Sequence, residues 1–406
     1  MDDTISLARL IKPLSVKQFM TEVWPHRIHV SHGAMDRFPE LLRIPELQNL
    51  EALVRAYPER IPVWFPKDSM RDEQGRTSYG TYFDPRDALN LYGVGATLFF
   101  QKLDTYVPQI RAMARRLEED LGFPPGKTFC SGFASRRSAG ALPHFDPELN
   151  FAVQLRGSKR WRLALNEHVS WPPAGYGVID KTVPETLRAA LKQDLPKEMP
   201  ENVQTVELRP GSVLFFPPGA WHATESGEES FHIVFGIWPH SWADLVLRHL
   251  RTRLMAQEAW REPAAGMLGP RSQRKQASQH LAGLLRELPE VLGSLQVEEL
   301  LGGEAAQRSY QRKATARIQL KQRGKGAERE WLLSVQHKGE RSEVSVVPEL
   351  LPLVRWVLAR RQPFVEGEAL SAARVLPPQD LREALDILVE THVLELSDGP
   401  ASRARG

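Results

Sequence analysis

Pro143-His144-Phe145-Asp146, joined farther along the chain by Pro217-Pro218-Gly219-Ala220-Trp221-His222, is the part of this sequence whose reading decides the fold. On a β-strand alternate side chains share a face, which puts His144 and Asp146 on the same side about 6.6 Å apart along the chain. That is the reach of two ligands on one metal ion, and His222 adds a third. Two imidazoles and one carboxylate on one face of an ion leave the opposite positions open. Such an arrangement suits a non-haem Fe(II) that binds both a cosubstrate and dioxygen. With 12 histidines in the chain, a His-x-Asp triplet on its own carries little weight, because ordinary residue frequencies produce it by chance. The flanking segments decide the matter.

After the pair comes Leu149-Asn150-Phe151-Ala152-Val153-Gln154-Leu155, an apolar run of strand type. Arg156-Gly157-Ser158 is a turn, and Lys159-Arg160-Trp161-Arg162-Leu163 alternates; the three segments read as a hairpin. The approach to His222 is similar. Val203 to Leu208 alternates, Pro210-Gly211 turns, Val213-Leu214-Phe215-Phe216 is a buried strand, and Pro217-Pro218-Gly219 turns again. Phe231 to Ile237 forms one more strand. Short strands at regular spacing, punctuated by glycine and proline, indicate a double-sheet jelly roll.

The 406 residues exceed one compact domain, and two or three units are expected. A formal net charge of +3 is mildly basic, compatible with an RNA-rich or acidic partner without requiring one. The single cysteine, Cys130, rules out an intrachain disulfide framework and a Cys-rich zinc site, and it reads as a small buried packing residue. No apolar run approaches membrane-spanning length, and Met1-Asp2-Asp3-Thr4 lacks a charged-then-apolar leader. The expected setting is cytoplasmic, with no membrane partner.

Residues 1–240 are expected to hold the catalytic jelly roll behind a mixed α/β lead-in. In that lead-in Ile44 to Ala56 is a helix, Ala96 to Phe100 a strand and Tyr106 to Leu121 an amphipathic helix. The last of these carries Val107, Ile110, Met113 and Ala114 on its apolar side and Arg115, Arg116, Glu118 and Glu119 largely on the other. Residues 241–303 read as helical. Pro263 to Lys275 is a loop, and Leu281 to Leu301 is two short helices because Pro289 should break the run. In residues 304–406 two strands, around Ile318 and Trp331, are joined by the glycine-bearing segment Arg323 to Gly326. Two helices, Leu350 to Ala359 and Pro378 to Glu390, and a closing strand at Val393 to Leu396 suggest a winged-helix unit. The fold class is thus mainly β with α. The basic stretches Arg271 to Lys275 and Arg308 to Lys325 lack interleaved aromatics and read as solvated faces. Acidic residues on Pro378 to Glu390 argue against direct DNA binding.

These residues resemble the JmjC-type oxygenases of the cupin superfamily and, within them, the ribosomal oxygenases that hydroxylate a side chain of a ribosomal protein. The most specific signatures are Gly157-Ser158-Lys159-Arg160-Trp161 and the segment from Pro210 through Trp221-His222. Phe19 to Trp24, Gly95 to Leu98 and Leu103-Asp104 are also similar. The resemblance covers nearly the whole chain and is strongest between 95 and 240.

It implies Fe(II) held by His144, Asp146 and His222, and 2-oxoglutarate as cosubstrate. Lys159 would meet the far carboxylate of 2-oxoglutarate through a charge-assisted hydrogen bond. Asn150, in phase with the interior, either donates to 2-oxoglutarate or caps a turn. It further implies a homodimer through the helices after residue 242 and a protein or peptide substrate, with a ribosomal protein as the particular case. Ala141 stands where some relatives carry a hydroxyl that contacts 2-oxoglutarate. His232, on the strand after the last ligand, reads as a core histidine in preference to a pocket residue. Two rival functions stay open: hydroxylation of a peptide natural product or free amino acid, and a non-catalytic metal-binding cupin that holds a partner.

Overall fold

The computed structural model describes residues 5–65, 81–238, 240–297, 300–301, 308–323, 330–366, 368–369 and 378–397. Among the described residues thirteen strands precede residue 240: β1 His29–Ser31, β2 Ile61–Trp64, β3 Thr81–Phe83, β4 Thr97–Phe100, β5 Thr128–Ser135, β6 Gly140–Phe145, β7 Leu149–Arg156, β8 Lys159–Ala164, β9 Tyr176–Gly177, β10 Gln204–Leu208, β11 Val213–Phe216, β12 Trp221–Ser226 and β13 Ser230–Ile237. They form an eight-stranded sheet in the order β1-β11-β7-β13-β5-β4-β2-β3 and a five-stranded sheet in the order β10-β8-β12-β6-β9. From β5 to β8 each successive strand changes sheet, as do β11, β12 and β13, which is the jelly-roll pattern.

The hairpin expected of Leu149–Leu155 and Lys159–Leu163 does not form. β7 pairs with β11 and β13, and β8 with β10 and β12, so the intervening turn carries the chain from one sheet to the other. Local pattern marks a turn but not which strand becomes the neighbour, and here both runs have an apolar face to bury between the sheets. Glycine is required at the crossing. Gly157 has φ 61°, and a Cβ there would stand 1.8 Å from the Glu229 carbonyl oxygen.

Each strand of the large sheet divides its side chains between two cores. Leu149, Phe151, Val153 and Leu155 of β7 join the core shared with the lead-in helices, whereas Ala152 packs with Trp161, Leu163, Leu214, Phe216 and Val234 between the sheets. Parity therefore turns Asn150 and Gln154 of β7 toward that inter-sheet space. The helix Pro108–Leu121 buries Ile110, Met113, Ala114 and Leu117. Glu118, expected on its exposed side, is buried instead. Its carboxylate accepts the backbone N–H groups of Gly126 (3.1 Å) and Thr128 (2.5 Å), tying down the entry to β5. The helix expected from Ile44 to Ala56 is split into a 3₁₀ turn, Pro45–Leu47, and a helix, Leu50–Ala56, which starts where Asn49 Oδ1 accepts the Ala52 N–H (2.8 Å).

The chain separates into two compact units: the residues up to Trp238 together with Tyr310–Ser397, and Pro239–Ser309. In the first, the C-terminal strands β14 Ser309–Arg312, β15 Arg317–Arg323, β16 Glu330–His337, β17 Glu340–Val346, β18 Phe364–Val365 and β19 Leu394–Ser397 form two three-stranded sheets, β15-β16-β17 and β18-β14-β19. With the helices Leu351–Ala359 and Pro378–Glu390 they share a core of Tyr310, Leu333, Trp356, Phe364 and Leu385. The expected joint at Arg323 to Gly326 lies outside the described residues beyond Arg323.

In the second unit the helix Trp242–Ala256 starts in a capping box, with Ser241 and Asp244 bonding each other's backbone N–H. A further helix runs unbroken over Arg271–Gly293. It passes through Pro289, where two short helices were expected, and its first turn takes up the end of the expected loop at Pro263 to Lys275. Pro289 sits four residues before the C-terminus of the helix, so its missing N–H removes one bond in the closing turn and no helix has to continue beyond it.

Candidate metal centre

His144 is the penultimate residue of β6 and pairs directly with His222 of β12, bringing the two rings to a centroid distance of 4.0 Å. Asp146 lies just past the end of β6 and not on the strand itself. Its Oδ2 is 3.7 Å from His144 Nε2 and 3.5 Å from His222 Nε2. One donor atom from each of the three residues falls within 4.8 Å of the others, and this is the one such group among the described residues. Two donors each about 2.1 Å from an ion, at right angles, stand about 3 Å apart, so the three need draw in only slightly to hold one.

The backbone prepares both imidazoles for this. His144 Nδ1 lies 2.7 Å from the Leu142 carbonyl and His222 Nδ1 3.0 Å from the Ala220 carbonyl. A proton on each Nδ1 satisfies those carbonyls and leaves each Nε2 lone pair directed at Asp146. Burial is the main cause that lowers the His222 pKa to about 4. The adjacent His144 lowers it further, while Asp146 and the Ala220 carbonyl pull the other way. His222 is therefore neutral, the form that ligates a metal.

Three local devices fix the ligand-bearing segments. The Gly219 N–H donates to the Asp146 carbonyl (2.8 Å), joining the loop after β6 to the turn before β12. Gly219 has φ 80°, and a Cβ there would press to 2.8 Å on Pro172. β9, which comes from the insert between β8 and β10, pairs with the end of β6 so that Gly177 lies opposite His144 and Tyr176 opposite Phe145. The insert adds its own packing, with Val169, Leu187 and Met199 clustering on Phe145, Trp221 and Ala223.

Lys159, the first residue of β8, is 3 % exposed, and its Nζ lies 3.4 Å from Ser135 Oγ. Burial lowers its pKa to about 7. Alternation along β8 puts Lys159 on the same face as Trp161 and Leu163, which pack between the sheets. Asn150 is buried, and its Nδ2 donates to the Glu148 carbonyl (3.1 Å), a local turn bond. Trp161 and Phe216 wall His222, with centroids at 6.1 and 4.9 Å. Sequence reasoning passed over β9 and the serines and glutamine around Lys159. Strand parity could have found the latter, since Gln154 is in phase with Asn150 and Ser226 with His222.

A jelly roll that brings two imidazoles and a carboxylate together, with a buried lysine between the sheets, has the donor set of a metal centre with positions left open. Residues 108–245 match the family model of the JmjC domain. The uncharacterized protein YxbC of Bacillus subtilis (strain 168) is 29% identical over 297 residues, covering 72% of this chain and 89% of its own. The bifunctional lysine-specific demethylase and histidyl-hydroxylase NO66 of Culex quinquefasciatus is 28% identical over 170 residues, or 41% of this chain and 24% of that protein. NO66 of Drosophila willistoni is 25% identical over 241 residues, covering 57% and 28%. The chain thus spans about a quarter of the length of these NO66 relatives. The structure of the Escherichia coli ribosomal oxygenase YcfD in complex with cobalt and 2-oxoglutarate aligns over 95% of this chain and 99% of its own, with 16% identity and a TM-score of 0.44. The chain thus carries a JmjC-type domain over residues 108–245, and His144, Asp146 and His222 all lie within it.

The donor set fits a divalent first-row ion. Purified protein loaded with Mn(II) is expected to hold close to one ion per chain, and His144→Ala to reduce binding at least tenfold. Equilibrium dialysis with elemental analysis measures both.

Proposed function

We propose that the protein hydroxylates a protein side chain, with a ribosomal protein as the substrate class. The carrying observation is that the His144, Asp146 and His222 donors meet in the same jelly roll that buries the Lys159 ammonium between its sheets. When bound, iron activates dioxygen as 2-oxoglutarate is oxidised to succinate and CO2, one oxygen atom entering succinate and the other a substrate C–H bond.

The residues of the chain orient and seclude the reactants. His144 and His222 keep their Nε2 atoms in register through their Nδ1 bonds, and Lys159 holds the far end of the cosubstrate. Trp161 and Phe216 exclude water on the His222 side, while the partly exposed His144 and Asp146 leave the substrate's approach on theirs. The histidyl-hydroxylase in the name of the NO66 relatives supports a side-chain substrate over a free amino acid or a peptide natural product. The insert that packs around Phe145 and Trp221 shapes the mouth.

A cytoplasmic setting and no direct DNA contact complete the reading. Glu383, Asp386 and Glu390 would repel phosphate, and the C-terminal strands and helices serve as a winged-helix-like scaffold. No described helix is long and apolar enough to cross a membrane. Trp242, Leu247, Leu281 and Leu285 are exposed on the helices of the second unit and support a homodimer.

Incubation with Fe(II), ascorbate and 2-oxoglutarate should release succinate, and candidate ribosomal proteins should gain the mass of one oxygen atom. His144→Ala should abolish both signals. A protein that retains metal but neither binds nor consumes 2-oxoglutarate would instead be a non-catalytic partner-binding cupin.

Lys159→Met should weaken 2-oxoglutarate binding by roughly 10- to 100-fold, the worth of a hydrogen bond to a charged group. The pH dependence follows from a folded-state pKa of about 7 against the ordinary 10.5. Between those values the unfolded chain holds a proton that the ligand-free fold lacks, so the burial penalty is absent above the upper value and full below the lower. Lys159→Met should therefore raise the melting temperature of the ligand-free protein more at pH 7 than at pH 10. Calorimetry at both pH values reads this directly.

Light scattering should give twice the chain mass for the intact protein, and Trp242→Glu with Leu247→Glu should shift it toward the single chain.

A further inference from the structure

Away from the metal ligands, buried charge gathers where the helix Pro108–Leu121 meets the C-terminal strands and helices of the same compact unit. Glu368 is at its centre. One of its carboxylate oxygens accepts from Arg111 (3.2 Å) and Arg360 (2.7 Å), and the other from Arg115 (2.9 Å) and the Val365 N–H (3.0 Å). A carboxylate offers about four acceptor positions, so Glu368 is saturated. The neighbouring carboxylates are engaged as well. Asp104 accepts the Cys130 N–H (2.8 Å), and Glu118 takes the N–H groups at the entry to β5.

Arg360 is left with more donors than these acceptors can meet. It is 5 % exposed, and its Nε and Nη1 have no hydrogen-bond partner among the described residues. The guanidinium cannot turn to find one, because it lies 4.0 Å from the Trp356 ring and 5.3 Å from the Phe364 ring and is held at Nη2 by Glu368. The charge is unbalanced too. Lys102, Arg111, Arg115 and Arg360 line one cavity with Asp104, Glu118 and Glu368, four cations against three carboxylates. Burial raises the pKa of Asp104 and pushes that of Glu118 up to about 8, so near pH 7 the carboxylates offset less than their number. The cavity measures about 20 Å³, room for one water-sized body, which needs about 10–15 Å³.

We infer that this junction binds one small monovalent inorganic anion of chloride's size, with an unbonded N–H of Arg360 as its principal donor, and that the anion ties the helix Pro108–Leu121 to the C-terminal region. Water could accept from the same donors. It would leave the positive excess uncompensated in a buried place, where unpaired charge is costly. A monatomic anion answers both needs through charge-assisted hydrogen bonds, whereas sulfate or a carboxylate ligand exceeds the space. The inference is independent of the metal and the cosubstrate, since none of the residues assigned to either lies here.

The test is thermal unfolding of the intact protein at pH 7 and constant ionic strength, with sodium chloride replacing sodium gluconate, whose anion is too large for the cavity. The melting temperature should rise by roughly 3–6 °C at ten times the dissociation constant and only logarithmically beyond it, as mass action requires. Arg360→Gln should lose most of this rise. Arg115→Gln, at a side chain that is 41 % exposed and whose removal leaves Glu368 its other donors, should need several-fold more chloride for the same effect. Should Arg360→Gln not fold, the wild type and Arg115→Gln decide between them. A wild type indifferent to chloride overturns the inference and leaves water as the partner of Arg360. A response that grows linearly with chloride and is equal in wild type and variants also overturns it, because the salt would then act on the surface at large.

Discussion

One backbone hydrogen bond, from the Gly219 N–H to the Asp146 carbonyl, joins the two segments that carry all three metal-ligand candidates. Its importance follows from where Asp146 sits. β6 ends at Phe145, so no ladder hydrogen bond continues to the carboxylate-bearing residue, and its direction must be set by the loop. His144 and His222 need no such device, because they face each other across β6 and β12. The left-handed backbone of Gly219 makes the turn that presents its N–H, and the insert closes over that glycine with Pro172. The ligand face is thus a product of three separate elements: a strand pair, a glycine turn and an insert strand.

The surroundings of the ligands divide by sheet face. The large sheet turns one face to the lead-in helices, with Phe151, Val153, Phe215 and Phe235 filling that core, and the other to the small sheet. The outer core is built largely from apolar side chains, which contribute stability through buried area. Space between the sheets can then be given partly to polar groups. Gln154 of β7 alternates with Val153 and Leu155, His232 of β13 with Phe231 and Ile233, and Lys159 of β8 is in phase with Trp161, so chemistry and packing are interleaved by the two-residue period.

Much of the site was legible in the sequence because its signals are local. The His-x-Asp pair, the proline-glycine turn before His222 and the glycine turn before Lys159 each announce themselves within a few residues, and the jelly roll followed from the spacing of short strands. Strand partnership is not a local property. The run from Leu149 to Leu163 has the grammar of a hairpin, yet its halves enter different sheets, because a turn sequence says nothing about which edge is vacant when the chain returns. Glu118 was misplaced for a related reason: on the helix it looks like a surface carboxylate, and only the return of Gly126 and Thr128 gives it donors. Pro289 shows the opposite limit, since a breaker matters only if the helix has somewhere further to go. β9 was invisible because two residues carry no period.

Burial governs both charged ends of the inter-sheet space, and it acts on them in the same direction. It holds His222 neutral near pH 7 and brings Lys159 to the point where its proton is readily lost. An interior that exists both empty and loaded is poorly served by fixed, unpaired charge, since an uncompensated buried ion costs several kcal/mol. Here the permanent charges are few, and those that function requires arrive with what binds. On the proposed reading a divalent ion would bring the positive charge that Asp146 and the two imidazoles can hold, and a dicarboxylate would bring the negative charge that makes a protonated Lys159 favourable. Desolvation, which weakens the empty site, is then the condition under which each of those interactions is strong once made.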